Sequence, residues 1–265
     1  MSWYHKNCWI TGATSGIGES LCYALASEGA NLILSARRLD KLEAVAEKCR
    51  SLGSDQVWIV PLDLGSPDSI QKAVDQVSTD SIQVDYLFNN GGISQRAEAM
   101  DAGIEVDRKI MEVNYFGAVA LTKAVLPMME KSGFGHVVAT SSITGVFGFP
   151  LRSAYSASKH ALHGFYESLG FEVARKNIFV TIVCPGRIAT DISLHAIGAD
   201  GKAHGEMDEG QSGGMPADQC ARIILRGVEQ KKKEILVGNK ELIMVYLKRY
   251  IPGLFYKLAA RIKPT

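Results

Sequence analysis

The stretch "YSASKHALHG", Tyr155 to Gly164, sets a phenol and an ammonium four residues apart in a run of small residues with a helical pattern. Residues at i and i+4 lie one above the other on a helix, so Tyr155 and Lys159 can address one spot. A phenol gives or takes a proton, and its pKa of about 10 falls toward working pH when an ammonium favours the phenolate. Of the nine tyrosines in the chain, only Tyr155 has a lysine four positions on. Such a pair also arises by accident, so its meaning depends on what the fold brings beside it.

The elements that must position the pair follow a regular alternation. Short β-rich runs, "NCWIT", "NLILSA", "QVWIVPL", "VDYLFNN", "GHVVATSS", "IFVTIVCPG" and "EILVG", are separated by longer stretches of helical period. Alternation of this kind predicts βαβ crossovers and a parallel seven-stranded α/β sheet covered on both faces. The runs are apolar throughout, as strands buried on both sides are. Ligands of doubly wound sheets bind outside the carboxyl ends of the strands, so chemistry is sought at each strand end.

The bulk numbers bound the answer. A chain of 265 residues, 46% hydrophobic, buries a full core and suits one domain over residues 1–265, with 238–265 a helical extension of it. A formal charge of +1, with no basic run beyond Lys231 to Lys233, argues against nucleic acid as a partner. The N-terminal residues lack a secretory pattern and no segment approaches eighteen uninterrupted apolar residues, so a cytoplasmic protein is expected. Five cysteines without a C-x-x-C predict core thiols, with neither disulfides nor a metal site. Gly198 to Pro216, rich in Gly and charge, reads as a mobile surface loop.

The first strand runs into "TGATSGIGES", where Gly12, Gly16 and Gly18 flank the turn residues Thr14, Ser15 and Ile17 and a helix follows. Glycines let backbone approach a pyrophosphate, and the helix N-terminus offers free N–H groups and partial positive charge. The second strand ends at Ala36, followed by Arg37 and Arg38, where an NAD site would carry a carboxylate for the ribose hydroxyls. Two guanidinium forks in place of that carboxylate point to a 2′-phosphate and hence to NADP(H), Arg37 being the nearer. The third strand end, "VPLDLGSPDS", brings Asp63 and Leu64 to the adenine side, with Ser66 or Asp68 available to cap the next helix. The fourth ends in "FNNGGIS", where Asn90 and Gly91 allow close backbone approach.

The fifth strand ends at Ser141 and Ser142, thirteen residues before Tyr155, and Asn114 stands upstream in "EVNYFGA". Together, T-G-x-x-x-G-x-G at Thr11 to Gly18, "NNGG", Asn114, Ser142, Y-x-x-x-K at Tyr155 and Lys159, and "PG" at Pro185 and Gly186 with Thr190 beyond resemble the short-chain dehydrogenases/reductases in their form of about 250 residues. The motifs span Asn7 to Thr190 in order. One departure is "NNGG" where the family usually has "NNAG". "RSAYSASKHA" and the C-terminal tail look like the branch containing 11β-hydroxysteroid dehydrogenase and the broad dehydrogenase/reductase members.

The resemblance implies a Rossmann-type fold and hydride transfer between NADP(H) and a carbonyl or alcohol. Tyr155 would be the acid or base, Lys159 would lower its pKa and hold the nicotinamide ribose, and Ser142 would polarise the carbonyl. Asn114 would hold a water linking Lys159 to solvent, Asn90 would lie along the cofactor, and Ile188 and Thr190 would meet the nicotinamide. It also implies a homodimer or homotetramer built on long helices near Gly103 to Lys131 and Ser153 to Lys176. Val146, Phe147, Phe149 and Leu151 favour an apolar substrate, and the segment after "PG" reads as a lid. The tail has three readings: packing on its own pocket, a subunit interface, or contact with a membrane surface. Epimerases and dehydratases of the family share Tyr-x-x-x-Lys but have another glycine spacing, and NADPH-sensing modules usually lose Tyr, Lys or Ser.

Overall fold

The computed structural model describes residues 3–261, so Ile262 to Thr265 of the tail lie outside the described residues. Seven strands form one parallel sheet: β1 (Asn7–Thr11), β2 (Asn31–Ser35), β3 (Val57–Ile59), β4 (Tyr86–Asn89), β5 (Gly135–Thr140), β6 (Ile178–Pro185) and, late in the chain, β9 (Glu234–Val237). Two short strands, β7 (Ile188–Ala189) and β8 (Met215–Pro216), pair separately over the site. The sheet order is β3-β2-β1-β4-β5-β6-β9. Strand order reverses between β1 and β4, which opens a crevice at their carboxyl ends.

Successive residues of a strand face opposite sides, and the core divides accordingly. Ile10, Leu32 and Leu34 pack against α1 (Gly16–Ser27), α2 (Leu39–Leu52) and α8 (Ala217–Glu229) through Leu21, Val45 and Ile224. Trp9, Ile33 and Leu87 point the other way, onto α3 (Pro67–Thr79), α5 (Gly117–Ser132) and α6 (Ser153–Glu172) through Val74, Leu121 and Leu162. Each such buried aliphatic side chain contributes about 1.5–3 kcal/mol. The Trp9 indole would be costly here without a partner; it donates to Ser35 Oγ at 2.8 Å, which donates to Val60 O at 2.7 Å. That chain of bonds ties the first three strands into register.

Local signals fix the helix starts. Ser66 Oγ accepts from Ser69 N at 3.2 Å with Pro67 in the first turn, so Ser66 rather than Asp68 caps α3. Between α4 (Ile104–Met111) and α5 a π-helical turn, Glu112–Phe116, carries Asn114. Such turns widen a helix by one residue and recur at functional sites. After β9 the tail forms α9 (Leu242–Tyr250) and α10 (Pro252–Ala259). Its Val245 and Phe255 are buried against Ile143 and Phe147, with the Phe147 and Phe255 rings 5.2 Å apart.

Within the expected surface loop over Gly198 to Pro216, most of residues 199–207 are exposed, and the part from Asp208 on is anchored. Asp208 is held by two arginines, and Gln211 Nε2 in α7 (Glu209–Ser212) donates to Ile188 O at 2.5 Å. Charge in this segment marks an inward anchor as well as solvated surface.

Candidate active site

A cavity of about 850 Å³ opens at the carboxyl ends of the strands. Its floor at one end is the turn after β1, where Gly12 and Gly16 have φ of +66° and +56°. A Cβ on Gly12 would stand 2.9 Å from Gly91 Cα, and one on Gly16 would meet the Thr190 side chain at 2.9 Å. Only glycine keeps this backbone open. Thr11 Oγ1 accepts from Asn90 N at 3.0 Å and Gly91 N at 2.9 Å, locking the ends of β1 and β4 side by side. These residues fit a dinucleotide: the turn, the start of α1 and the exposed Arg37 and Arg38 follow one wall in sequence.

Of the residues assigned to a cofactor from the sequence, Gly12, Thr14, Ser15, Gly16, Ile17, Arg37, Arg38, Asp63, Leu64, Asn90, Gly91, Tyr155, Lys159, Pro185, Gly186, Ile188 and Thr190 all line this cavity. Gly18 does not. It lies beneath the turn, where a Cβ would collide with Gly12 O, so its smallness serves helix–strand packing. Asn89, first of the amide pair, turns into the core and donates to Thr122 Oγ1 at 2.8 Å and Tyr166 Oη at 3.1 Å. Asp63 Oδ1 accepts from Gly65 N at 2.9 Å, which holds the side chain in place on the cavity wall.

At the other end of the cavity stand Ser142, Tyr155 and Lys159. Ser142 lies just beyond β5, where its Oγ accepts from Thr144 N at 3.1 Å. Tyr155 is in the first turn of α6, and Lys159, one turn on, is buried with Nζ donating to Thr140 O at 2.7 Å and 5.6 Å from the Tyr155 ring. Burial raises the Tyr155 pKa above its ordinary value, while the Ser142 hydroxyl and then the positive charges of Arg96 and Arg152 pull it back down. Burial lowers Lys159 to about 8. Lys159 stands beside Tyr155, and Arg96 and Arg152 bring further positive charge there that the sequence did not announce.

Asn114 stands on the π-helical turn packed beside α6. It is buried away from the cavity surface, with Oδ1 accepting from Ile93 N at 2.8 Å and Nδ2 donating to Ile93 O at 2.9 Å and Ser158 Oγ at 3.0 Å. In this geometry it fixes the chain that follows β4 against α6, and a Cβ on Gly92 would touch both Asn114 Oδ1, at 3.0 Å, and Lys159 Nζ, at 3.5 Å. Ser141 Oγ donates to Lys159 O at 3.0 Å and has a structural part. Of the four residues expected to make an apolar pocket, Phe149 lines the main cavity; Val146 and Phe147 pack toward the tail helices.

Sequence reasoning missed Arg96, Arg152 and Asp208. Arg96 Nε and Nη2 donate to the Asp208 carboxylate at 3.0 and 2.5 Å, and Arg152 Nη2 donates to it at 2.7 Å. Asp208 lies 112 and 56 residues from them in sequence, so no local motif announces the triad. A second cluster, His163, Cys184 and Glu234, also comes together. Its carboxylate is already paired with Arg249 at 2.5 Å and burial pushes the Cys184 thiol up, which suits a link between β6 and β9.

Residues 6–197 match the family described as short chain dehydrogenase. The dehydrogenase/reductase SDR family protein 7-like of Drosophila melanogaster is 44% identical over 256 residues, covering 95% of this chain and 78% of its own. The SDR family member 7B of Mus musculus is 40% identical, covering 95% and 79%. Among solved structures, a short-chain dehydrogenase from Streptomyces avermitilis is 26% identical with a TM-score of 0.81, covering 97% of this chain and 96% of its own. An alcohol dehydrogenase from Thermococcus sibiricus complexed with 5-hydroxy-NADP is 25% identical with a TM-score of 0.75, covering 89% and 97%. The chain belongs to the short-chain dehydrogenase/reductase family, with the Rossmann-type sheet of its members. It is an NAD(P)(H)-dependent oxidoreductase acting on carbonyl and alcohol groups.

Proposed function

We propose that the enzyme uses NADP(H) to interconvert a carbonyl compound and its alcohol, with Ser142, Tyr155 and Lys159 as its catalytic group. The observation that carries the cofactor choice is the end of β2. Arg37 and Arg38 are exposed on the cavity rim, neither has an ion-pair partner among the described residues, and Ala36 stands where a carboxylate would repel a phosphate.

Bound in this cleft, the dinucleotide supplies the hydride, and the protein supplies position and protons. Ser142 Oγ holds the carbonyl oxygen, and Tyr155 Oη donates its proton to that oxygen as negative charge develops there. In the reverse direction the Tyr155 phenolate takes the proton from the alcohol. Lys159 Nζ, fixed by Thr140 O, orients the ribose beside Tyr155, and Asn114 acts as a positioning residue through Ile93 and Ser158. Titration with NADPH and NADH, on wild type and Arg37→Ala, tests the cofactor choice. Wild type should bind NADPH more tightly and the variant should bind both alike; equal affinities in wild type would overturn it.

We further infer a largely apolar substrate body, supported by Ile143, Phe149, Ile192 and Ile197 on the cavity wall. We take residues 1–265 as one domain with the tail from 238 part of it, which the burial of Val245 and Phe255 against Ile143 and Phe147 supports. "RSAYSASKHA" and that tail support the branch of 11β-hydroxysteroid dehydrogenase and the broad dehydrogenase/reductase members. Exposed Phe116 and Phe171, near α5 and on α6, support assembly into a homodimer or homotetramer, which light scattering on the purified chain would measure. No helix among the described residues is long and apolar enough to cross a membrane. The exposed Tyr246, Tyr250 and Tyr256 of the tail leave a face for an interface or a peripheral membrane contact.

A further inference from the structure

The wall of the cavity next to Tyr155 is not apolar. Arg96, Arg152 and Asp208 all line it, and the three side chains are 4%, 11% and 9% exposed. Arg96 is held from both sides: Nε and Nη2 grip Asp208, and Nη1 donates to Ser94 Oγ at 2.8 Å and Gln95 O at 2.6 Å. Arg152 donates Nη2 to Asp208 and Nη1 to Pro150 O at 3.0 Å, with its guanidinium 5.0 Å from the Phe149 ring. Two cations thus share one carboxylate in a desolvated wall, leaving one positive charge uncompensated.

Burying such a group is costly, and replacing it with apolar side chains of similar volume is often neutral or stabilising. The architecture makes most sense if a second anion completes it. The resident carboxylate also comes from an unusual place. Asp208 belongs to the segment between β7 and β8 that overlies the cavity, while Arg96 follows β4 and Arg152 immediately precedes α6, whose first turn holds Tyr155. The arginines are therefore fixed to the sheet framework beside the reacting group, and the carboxylate arrives on the cover.

Resting on the carbonyl-reductase reading above, we propose that Arg96 and Arg152 form a recognition site for an oxyanion, carboxylate or phosphate, carried by the substrate, and that Asp208 occupies part of this site until the substrate binds. Planar guanidinium forks match both oxyanions bidentately. The substrate class is then a ketone or aldehyde with an apolar body and one anionic group, held so that its carbonyl meets Ser142 and Tyr155. The anion takes no part in the bond changes; it orients the molecule and stays charged throughout.

The test measures affinity without turnover. Full-length enzyme saturated with NADP+ cannot reduce an aldehyde, so calorimetry gives dissociation constants for 4-formylbenzoate, 4-formylphenyl phosphate and the neutral methyl 4-formylbenzoate. At least one anion should bind wild type ten-fold or more tighter than the ester, and the better anion identifies the source. Arg152→Gln should erase that preference with the ester unchanged, and Asp208→Asn, which removes the competing carboxylate, should tighten the anion several-fold. Equal binding of all three compounds, no measurable binding of either anion, or equal weakening of acid and ester in Arg152→Gln would each overturn the site. Because Asp208→Asn keeps the side-chain volume and leaves both arginines in place, it decides the matter even if an arginine variant fails to fold. NADPH consumption with the ester checks hydride transfer separately, so the oxyanion site can fail while the reductase reading stands.

Discussion

Two arginine pairs flank the same cavity and differ in almost every physical respect. Arg37 and Arg38 are neighbours in sequence, exposed, and without ion-pair partners among the described residues. Arg96 and Arg152 come from different connections, are buried, and share Asp208. The exposed pair can wait for a mobile phosphate at little cost because water solvates it meanwhile. The buried pair cannot, so the fold supplies an internal anion. Exposure decides whether a binding cation stands alone or must be held by a surrogate.

The largest expected effect comes from the acid beside the buried pair, at the opposite end of the cavity from Arg37 and Arg38. Tyr155→Phe should lower turnover by about 10²–10⁴-fold while NADPH affinity, followed by fluorescence, is kept. Unchanged turnover with any accepted carbonyl compound would falsify the assigned mechanism.

Stability should then separate the pairs. Asp208→Ala removes the anion that both buried guanidiniums share and should cost about 3–5 kcal/mol in denaturant unfolding. Arg37→Ala, on the surface, should stay within about 0.5 kcal/mol of wild type. A comparable loss in both would erase the distinction drawn from burial.

In cofactor binding the ranking inverts. Arg37→Ala should weaken NADPH about ten-fold or more and leave NADH unchanged, consistent with about 1.5–3 kcal/mol for a hydrogen bond to a charged group. The NADPH preference should also shrink as salt rises, because exposed charges are screened. Arg152→Gln should leave both titrations as they are.

The smallest effect concerns pH. Alcohol oxidation needs the Tyr155 phenolate, so its rate rises with pH toward a pKa that burial holds up and Arg96 and Arg152 hold down. Removing Arg152 leaves burial less opposed, so the rising limb of kcat/KM for oxidation should move to higher pH. Arg37→Ala should not move it. A shift in the opposite direction would show that Arg152 contributes no field at Tyr155.

Much of the site was legible because its parts are local. The glycine turn, the arginines after β2, and the serine and Tyr-x-x-x-Lys around the start of α6 each sit at a strand end or on one helical face, where period and turn chemistry fix direction. Asn114 was legible as a residue, but its bonds were not. Its amide looks free in sequence, and only the turn it occupies shows all of its donors spent on Ile93 and Ser158. The sequence put Lys159 beside Tyr155, because i and i+4 are adjacent, and gave no sign of Arg96 and Arg152 there. Whether that ammonium carries its charge depends on how deeply it is buried, and burial belongs to the whole fold.

By itself, then, the sequence determined the parallel sheet, the crevice that holds the cofactor and the residues lining it, because these follow from apolar runs, glycines and helical spacing over a few residues. The tertiary structure alone decided which charges meet. Arg96, Arg152 and Asp208 converge across 112 residues of chain, and the energy of that meeting depends on distance and desolvation, neither of which is written in local order.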